Sequence, residues 1–216
     1  MTNILGFAAV LVTACASPAF DIHASAPRVP TTPGSHALAI VRIPAPWYAP
    51  RFVIARRFRD AVPDYEHLPG LVAKAFTIDD DRRFGGIYVW SDRTAATAYY
   101  SPAWRAGVRD RPGHDPDVVI FDAPFVVRGR TAIHGDAIDS RATRFPATAT
   151  LVLAPGSADG AAALADRISR LDGLIAGAVV VGDGTLGYVG LWARRELAEA
   201  AVGPDATYFD APVLML

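Results

Sequence analysis

The chain has 216 residues, of which 51% are hydrophobic, and a formal net charge of −1. This length and this hydrophobic content suit one or two domains with a substantial apolar core. The near-neutral charge, without a block of Lys and Arg, excludes the electrostatic pattern of a nucleic-acid-binding protein. A single cysteine excludes an internal disulfide and a zinc site built from several cysteines.

The amino terminus has the pattern of an export signal. Residues 4–12 form an apolar run that is too short to span a bilayer but fits the hydrophobic region of a signal peptide. The run ends in Val12-Thr13-Ala14-Cys15, which resembles the lipobox of bacterial lipoproteins. That resemblance implies a signal peptide over 1–15, acylation of Cys15, and a protein exported and lipid-anchored to a bacterial membrane, facing the periplasm or the cell exterior. A buried Cys15 thiol and ordinary cleavage after Ala24-Ser25-Ala26 are the alternatives.

Residues 16–35 are rich in proline and lack an apolar period, which predicts a flexible tether. A strand is then expected over 38–43. Residues 49–62 predict a helix with an apolar stripe that includes Phe52 and Phe58, and we expect Pro63 to end it. We interpret the arginines of this helix as a solvated face rather than an anion site.

Two strands joined by a charged turn follow the helix. Residues 71–78 and 85–91 are β-like. The three adjacent carboxylates of 79–81 lack the alternating spacing of a calcium loop, so a solvated turn is predicted there. Asp92 is a good N-cap for a second helix, and 118–127 reads as a last strand. The order β-α-β-β-α-β predicts a ferredoxin-like repeat over 36–127.

A shorter version of this order appears later in the chain. Two β-like segments, 174–181 and 186–193, follow a second Gly-Leu turn, and the tripeptide Asp-Ala-Pro of 122–124 returns at 210–212. This predicts a second, shortened ferredoxin-like repeat over 147–216, joined to the first by a linker over 128–146. A sheet covered by helices on one face leaves the other face bare, so the two sheets should pack together. The predicted fold is therefore α+β, an intrachain dimeric α/β barrel in a monomeric chain, with Pro124 and Pro212 at edges or bulges.

Three motifs of the first repeat resemble those of a known family. They are Pro69-Gly70-Leu71 with Lys74, the run 85–91 (Gly-Gly-Ile-Tyr-Val-Trp-Ser), and Ala98-Tyr99-Tyr100 followed by Ser101-Pro102 and Trp104. They are similar to those of the YdhR-like monooxygenases, within the antibiotic-biosynthesis-monooxygenase type of dimeric α+β barrel. The resemblance covers roughly 36–127. It implies a monooxygenase that needs no cofactor and acts on a small aromatic or phenolic substrate.

The candidate site follows from strand alternation and this resemblance. Helices usually cover the aliphatic face of a sheet, so Tyr88 and Trp90 are expected to face the barrel interior. In the site, His67 or a tyrosine would act as base, and Lys74 and Tyr88 would supply a cation or a donor for a developing oxyanion. The residues expected to bind the substrate are aromatic: Phe76, Trp90, Tyr99 and Trp104. The second repeat has Gly177 and Gly190 at the positions of Lys74 and Tyr88, so one site per chain is expected, in the first repeat.

Simpler roles exist for each of these residues. Lys74 could pair with a carboxylate such as Asp122, the aromatic residues could be ordinary core, and His67 could be solvated. No two histidines have metal-ligand spacing, so no metal site and no cofactor are expected. The alternative function is a non-catalytic lipoprotein module, held to the membrane by its lipid anchor only, that binds a small apolar ligand or a protein partner.

Overall fold

The computed structural model describes residues 35–110, 115–139 and 141–216. The predicted signal peptide with Cys15, the alternative cleavage site at 24–26, and the tether up to residue 34 lie outside the described residues. The strands are β1 (His36–Pro44), β2 (Leu71–Asp79), β3 (Arg83–Trp90), β4 (Asp117–Arg128), β5 (Asp136–Ala137), β6 (Ala142–Pro155), β7 (Leu174–Gly182), β8 (Thr185–Trp192) and β9 (Thr207–Met215). The helices are α1 (Arg51–Glu66), α2 (Arg93–Tyr99), α3 (Pro102–Arg109), α4 (Ala161–Ser169) and α5 (Arg195–Val202).

Eight of the described strands close into an antiparallel barrel. Their order is β6-β8-β7-β4-β1-β3-β2-β9, and pairing between β6 and β9 completes the ring. The short β5 pairs with β6 outside the ring. The predicted α+β class and the closed barrel are therefore confirmed. The segment 128–146, expected to be a linker, contains β5 and the first residues of β6.

The first half (β1–β4) and the second half (β6–β9) have the same strand order. The halves read β4-β1-β3-β2 and β9-β6-β8-β7, so in each the first and third strands are central. The fourth strand of each half leaves its own sheet and joins the second strand of the other half, through the pairs β4–β7 and β9–β2. The register shifts at this crossing, once between Asp122 and Phe125 and once between Asp210 and Val213. The prediction of bulges at Pro124 and Pro212 is thus confirmed, because proline has no N–H for the ladder.

The barrel interior is filled mostly by small and aliphatic side chains from both halves, together with Phe121 and Phe209. Among them are Leu38, Ile87, Ala149, Val180 and Leu214, and the cluster that they form contains no residue from any described helix. Tyr88 and Trp90 instead pack against α2. The expectation that Tyr88 and Trp90 face the barrel interior was therefore wrong. Side chains from all eight strands fill the interior of the barrel, and most of the aromatic rings of the first half lie in the layer between its sheet and its helices.

The two central hairpins begin at the same kind of turn. Gly70 and Gly173 precede β2 and β7 with φ of +78° and +81°, a conformation that side chains with a Cβ rarely adopt. The carbonyl oxygen of each accepts a hydrogen bond from the residue after the hairpin, Ser91 N–H at 2.8 Å and Ala193 N–H at 3.2 Å. The repeated Gly-Leu of the sequence thus marks a repeated backbone geometry.

Helix α1 differs from its prediction in two ways. It continues through Pro63 to Glu66 rather than ending at the proline. Its buried stripe is Ile54, Phe58 and Val62, whereas Phe52, expected on that stripe, is 74% exposed. No described helix combines the length and the apolar composition that crossing a bilayer requires.

Candidate functional site

Lys74 lies in β2 under helix α1 and is almost fully enclosed. Its side chain is 2% exposed. Its Nζ lies 3.0 Å from the centroid of the Tyr65 ring, 3.7 Å from that of Phe76 and 4.5 Å from that of Tyr88. Alternation along β2 places Lys74 and Phe76 on the outer face of the barrel, facing the helices. The amine is therefore surrounded by aromatic faces rather than by water.

Lys74 is also the only lysine of the chain. The other twenty of its 21 Lys and Arg residues are arginines, whose charge is fixed. Burial lowers its pKa well below the ordinary value, and the carboxylate of Asp64 opposes this shift. An amine of lowered pKa can accept a proton near neutral pH, which arginine cannot do. The sequence thus carries its one titratable amine side chain at an enclosed position.

Further aromatic residues extend from Lys74 toward α2 and α3. The rings of Tyr88 and Trp90 stack with centroids 6.3 Å apart, and Tyr100 packs edge-on against both. Tyr99 and Trp104 continue the contacts, with centroids 5.8 Å apart. The aromatic residues expected to bind substrate, Phe76, Trp90, Tyr99 and Trp104, therefore lie with Lys74 and Tyr88 in one layer. We call this layer, together with Tyr65 and Tyr100, the Lys74 cluster.

The tyrosines of the cluster are poor bases. Burial raises the pKa of Tyr88, Tyr99 and Tyr100, and neighbouring tyrosines add to the effect. Their hydroxyls therefore stay protonated at neutral pH and can donate hydrogen bonds. The amine of Lys74 is the better proton acceptor, so the expectation of a tyrosine base is not supported by the electrostatics.

Two polar atoms of the cluster, Trp90 Nε1 and Tyr100 Oη, are buried and make no hydrogen bond of normal geometry with the described residues. The Trp90 indole still interacts with the Tyr100 hydroxyl and lowers its pKa against the larger upward effect of burial. The equivalent indole of the second half differs, since Trp192 Nε1 donates to Thr150 Oγ1 at 2.9 Å. An unmet buried donor costs about 1–3 kcal/mol, so its presence in one half and not in the other calls for an explanation.

The structure places Asp122 and His67 outside the buried part of the cluster. Asp122 does not pair with Lys74, because it lies in β4, which has β1 and β7 as neighbours, and its carboxylate binds Arg93 at 2.7 Å. His67 ends α1 with an exposed side chain, outside the buried part of the cluster. Asp64 is the carboxylate that acts on Lys74 electrostatically.

Tyr65 is the residue of the cluster that sequence reasoning missed. It lies on α1 three residues after Val62, so it continues the buried stripe. Ending the predicted helix at Pro63 removed it from that stripe. The buried Tyr100 hydroxyl, which makes no hydrogen bond of normal geometry, has no counterpart in any sequence pattern.

An open cleft of about 570 Å³ lies elsewhere, between the β2–β3 turn, α5 and the start of β9. Its charged groups bind one another. Arg195 binds Asp80 at 2.9 Å and Arg83 binds Asp79 at 2.7 Å, and the hydrogen bond from Arg195 lowers the pKa of Asp80. Within the described residues, no group of His, Cys, Asp and Glu could hold a metal ion. The cleft therefore joins the two halves and offers little unpaired charge to a ligand.

Comparison with solved structures identifies the fold. The chain is similar to a "putative monooxygenase" from Lactobacillus acidophilus NCFM, with a TM-score of 0.53, 8% identity and coverage of 83% of this chain and 95% of that one. A "putative monooxygenase" from Fusobacterium nucleatum subsp. nucleatum matches with a TM-score of 0.52, 8% identity and coverage of 84% and 94%. A protein described as "anthrone oxidase-like" matches with a TM-score of 0.50, 10% identity and coverage of 82% and 91%.

These matches each cover more than either half, so the likeness extends over both halves of the barrel. At such low identity it shows a monooxygenase-like fold and not an activity. No protein-family model and no curated protein matches the sequence.

Proposed function

We propose that this chain is a cofactor-independent monooxygenase that acts on a small aromatic or phenolic substrate at the Lys74 cluster of the first half. The observation that carries the proposal is an enclosed amine of lowered pKa in the same layer of aromatic rings as an indole N–H that makes no hydrogen bond of normal geometry. The names of the structural neighbours, which describe those proteins, point to the same chemistry. The resemblance of the first-half motifs to the YdhR-like monooxygenases also supports it.

In the proposed reaction Lys74 is the general base. Its neutral amine takes a proton from an acidic O–H or C–H of the substrate, and the resulting ammonium stabilises the anion that forms. Trp90 Nε1 and the hydroxyl of Tyr88 or Tyr100 donate to the substrate oxygen. His67, which is exposed, would serve only to carry protons to and from solvent.

Molecular oxygen is the oxidant in this proposal. An anthrone-type anion transfers an electron to molecular oxygen, and the two radicals combine to form a hydroperoxide after protonation. Loss of water then gives a ketone, so one methylene group and one molecule of oxygen yield one carbonyl group and one molecule of water. The proton that Lys74 removes returns to the peroxide, and the enzyme ends the cycle unchanged.

A flat substrate would take the place of the Tyr65 ring over Lys74. That ring lies on the last turn of α1 and is only half-buried, so it is the part of the enclosure nearest to solvent. An aromatic substrate would keep the face-on contact with the amine that Tyr65 makes.

The test is oxygen uptake by the purified chain with a panel of hydroquinones and anthrones. Lys74→Met should abolish uptake, whereas Arg195→Gln, in the distant charged cleft, should leave it unchanged. The rate of the wild-type chain should rise with pH as Lys74 loses its proton. Unchanged turnover in Lys74→Met would remove Lys74 from the site.

A non-catalytic module that binds an apolar ligand or a protein partner is the second candidate. The enclosure of the cluster favours a non-catalytic role, since Lys74, Tyr88 and Trp90 are each at most 3% exposed and a substrate could reach the amine only by displacing a ring such as Tyr65. Absence of oxygen uptake with every compound of the panel would select this alternative. Binding of the same compounds, followed through tryptophan fluorescence, would then separate ligand binding from a purely structural cluster.

We also propose that the halves descend from a duplicated ferredoxin-like unit. The shared strand order, the twin bulges and the two positive-φ glycines support the duplication.

We further propose that the chain is exported and acylated at Cys15. The lipobox-like sequence at 12–15 supports acylation. Radiolabelled palmitate should label the wild-type chain in a bacterial host and should not label Cys15→Ser.

A further inference from the structure

Four large apolar side chains protrude together where β1 leads into α1. Trp47, Tyr48, Phe52 and Val53 are 86%, 70%, 74% and 37% exposed. We call these four residues the aromatic patch. Isolated exposed apolar residues are ordinary, but neighbouring ones with this exposure mark a surface that contacts something else.

The fold holds the aromatic patch in place. Arg82, at the β2–β3 turn, donates hydrogen bonds from Nη2 to the carbonyl oxygens of Trp47 at 3.3 Å and Ala49 at 3.0 Å. The N–H of Ala45 donates to the carbonyl of Arg82 at 3.1 Å. Prolines at 44, 46 and 50 restrict the backbone further. The rings are thus presented on a fixed loop, and ordering them on a partner costs little entropy.

The exposed side chains of α1 change from apolar to basic to acidic along the helix. Phe52 and Val53 occupy the first turn, the exposed Arg56 and Arg57 follow one turn later, and acidic residues occupy the far end. With a rise of 1.5 Å per residue, the arginines lie about 6 Å behind the rings. Arg51 is engaged with Asp210 and is not part of this array.

We propose that the aromatic patch docks the folded domain on an anionic lipid membrane. The rings of Trp47, Tyr48 and Phe52 enter the interface, and Arg56 and Arg57 bind lipid phosphates at headgroup depth. Tryptophan and tyrosine have an apolar body and a polar tip, which suits them to this region, and arginine favours phosphate. The acidic end of α1 then faces away from the membrane.

A membrane fits these observations better than a protein partner. A stable protein interface needs about 20–30 residues on each side, whereas the aromatic patch and its arginines number six. A bilayer needs only inserted apolar groups backed by cations. The proposal does not depend on Cys15, and it goes beyond the expectation that a lipid anchor is the only membrane contact. The two are compatible, because residues 16–35 can reach at most about 70 Å.

The experiment uses the full chain with Cys15→Ser, so that no acyl chain contributes. Vesicles contain phosphatidylglycerol and a phosphatidylcholine brominated on its acyl chains, which quenches tryptophan on contact. We expect vesicle binding with quenching of tryptophan fluorescence. Trp47→Phe should still bind but lose most of the quenching, because Trp90 and Trp192 are fully buried and the half-buried Trp104 packs against Tyr99 and Tyr100.

Two further variants test the rings and the charges. Trp47→Ser with Phe52→Ser should weaken vesicle binding by roughly tenfold or more, whereas Leu153→Ser, an exposed apolar site elsewhere, should not. Arg56→Gln and Arg57→Gln should each weaken binding to anionic vesicles about fivefold and leave binding to neutral vesicles unchanged.

Three outcomes would overturn the proposal. Vesicle binding without quenching of Trp47 would show that another segment, such as the apolar run 4–12, makes the contact. Equal binding by the serine double variant would exclude the aromatic patch. A dimer in light scattering that the double variant abolishes, with no vesicle binding by the wild-type chain, would assign the patch to a second copy.

Discussion

The enclosed amine of Lys74 makes a prediction about stability that requires no substrate. Replacing it by methionine keeps the length and the apolar stem of the side chain and removes the titrating group. Because burial lowers the pKa of Lys74 below the ordinary value of about 10.4, the folded chain binds less of this proton than the unfolded chain at any pH between the two values. The free energy of unfolding must then rise with pH across that window.

The size of the effect follows from linkage. One proton of difference gives a slope of up to about 1.4 kcal/mol per pH unit. Between pH 7 and pH 9 the wild-type chain should therefore gain stability relative to Lys74→Met, by at most about 3 kcal/mol. The window stays below pH 10, where unfolded tyrosines begin to ionise and the raised pKa values of the buried tyrosines would reduce stability.

Urea denaturation at pH 7, 8 and 9 measures this difference. Phe76→Leu is the matched control, since it disturbs the packing beside Lys74 without removing the amine, so it should lower the free energy of unfolding and keep the wild-type pH slope. Lysine labelled with carbon-13 gives the pKa directly, because the chain has one lysine and so one Cε resonance. Titration of that resonance near pH 10.4, or equal slopes for the wild-type chain and Lys74→Met, would refute the reasoning.

Two other substitutions test the packing of the halves. Thr150→Val should lower the free energy of unfolding, measured in urea, by about 1–3 kcal/mol, because the buried Trp192 Nε1 loses its acceptor. An unchanged urea midpoint would mean that water replaces the hydroxyl. Gly85→Ala should lower the thermal midpoint clearly, because the added Cβ would collide with the carbonyl oxygen of Val41. Gly107→Ala is the control, since nothing lies within 4 Å of its Cβ, and it should leave the midpoint unchanged or raise it. Equal effects of the two glycine variants would contradict the close approach of β1 and β3.

The hairpins and the closed barrel could be predicted because they depend on local rules that repeat. The Gly-Leu turns require positive φ, the prolines at 124 and 212 exclude regular ladder pairing, and a one-sided sheet must be covered. The pairing of Lys74 with Tyr88 and of Gly177 with Gly190 matches the alignment made from the sequence.

The faces of the central strands could not be predicted in the same way. Both faces of β3 are buried, so alternation separates Ile87 from Tyr88 without telling which of them meets the helices. Which face meets the helices is decided by how the two sheets close into the barrel, and that closure depends on all eight strands together. Whether Phe52 is buried or exposed likewise depends on where α1 rests on the barrel, since its helical period allows both.

The two halves differ at equivalent positions, with Tyr88 before Trp90 in the first half and Gly190 before Trp192 in the second. This difference is the strongest reason to regard the first half as functional. In the second half a Cβ on Gly190 would lie 2.8 Å from Trp192 Nε1, so the indole occupies that space and reaches Thr150. In the first half the ring of Tyr88 stands beside Trp90 instead, and the indole N–H makes no hydrogen bond of normal geometry with the described residues, only a weaker interaction with the Tyr100 hydroxyl. Stability alone would favour the arrangement of the second half, in which the indole N–H has an acceptor, by about 1–3 kcal/mol. A weakly bonded donor in the same aromatic layer as a buried amine is what a site needs if it is to hold the oxygen of a substrate while removing its proton.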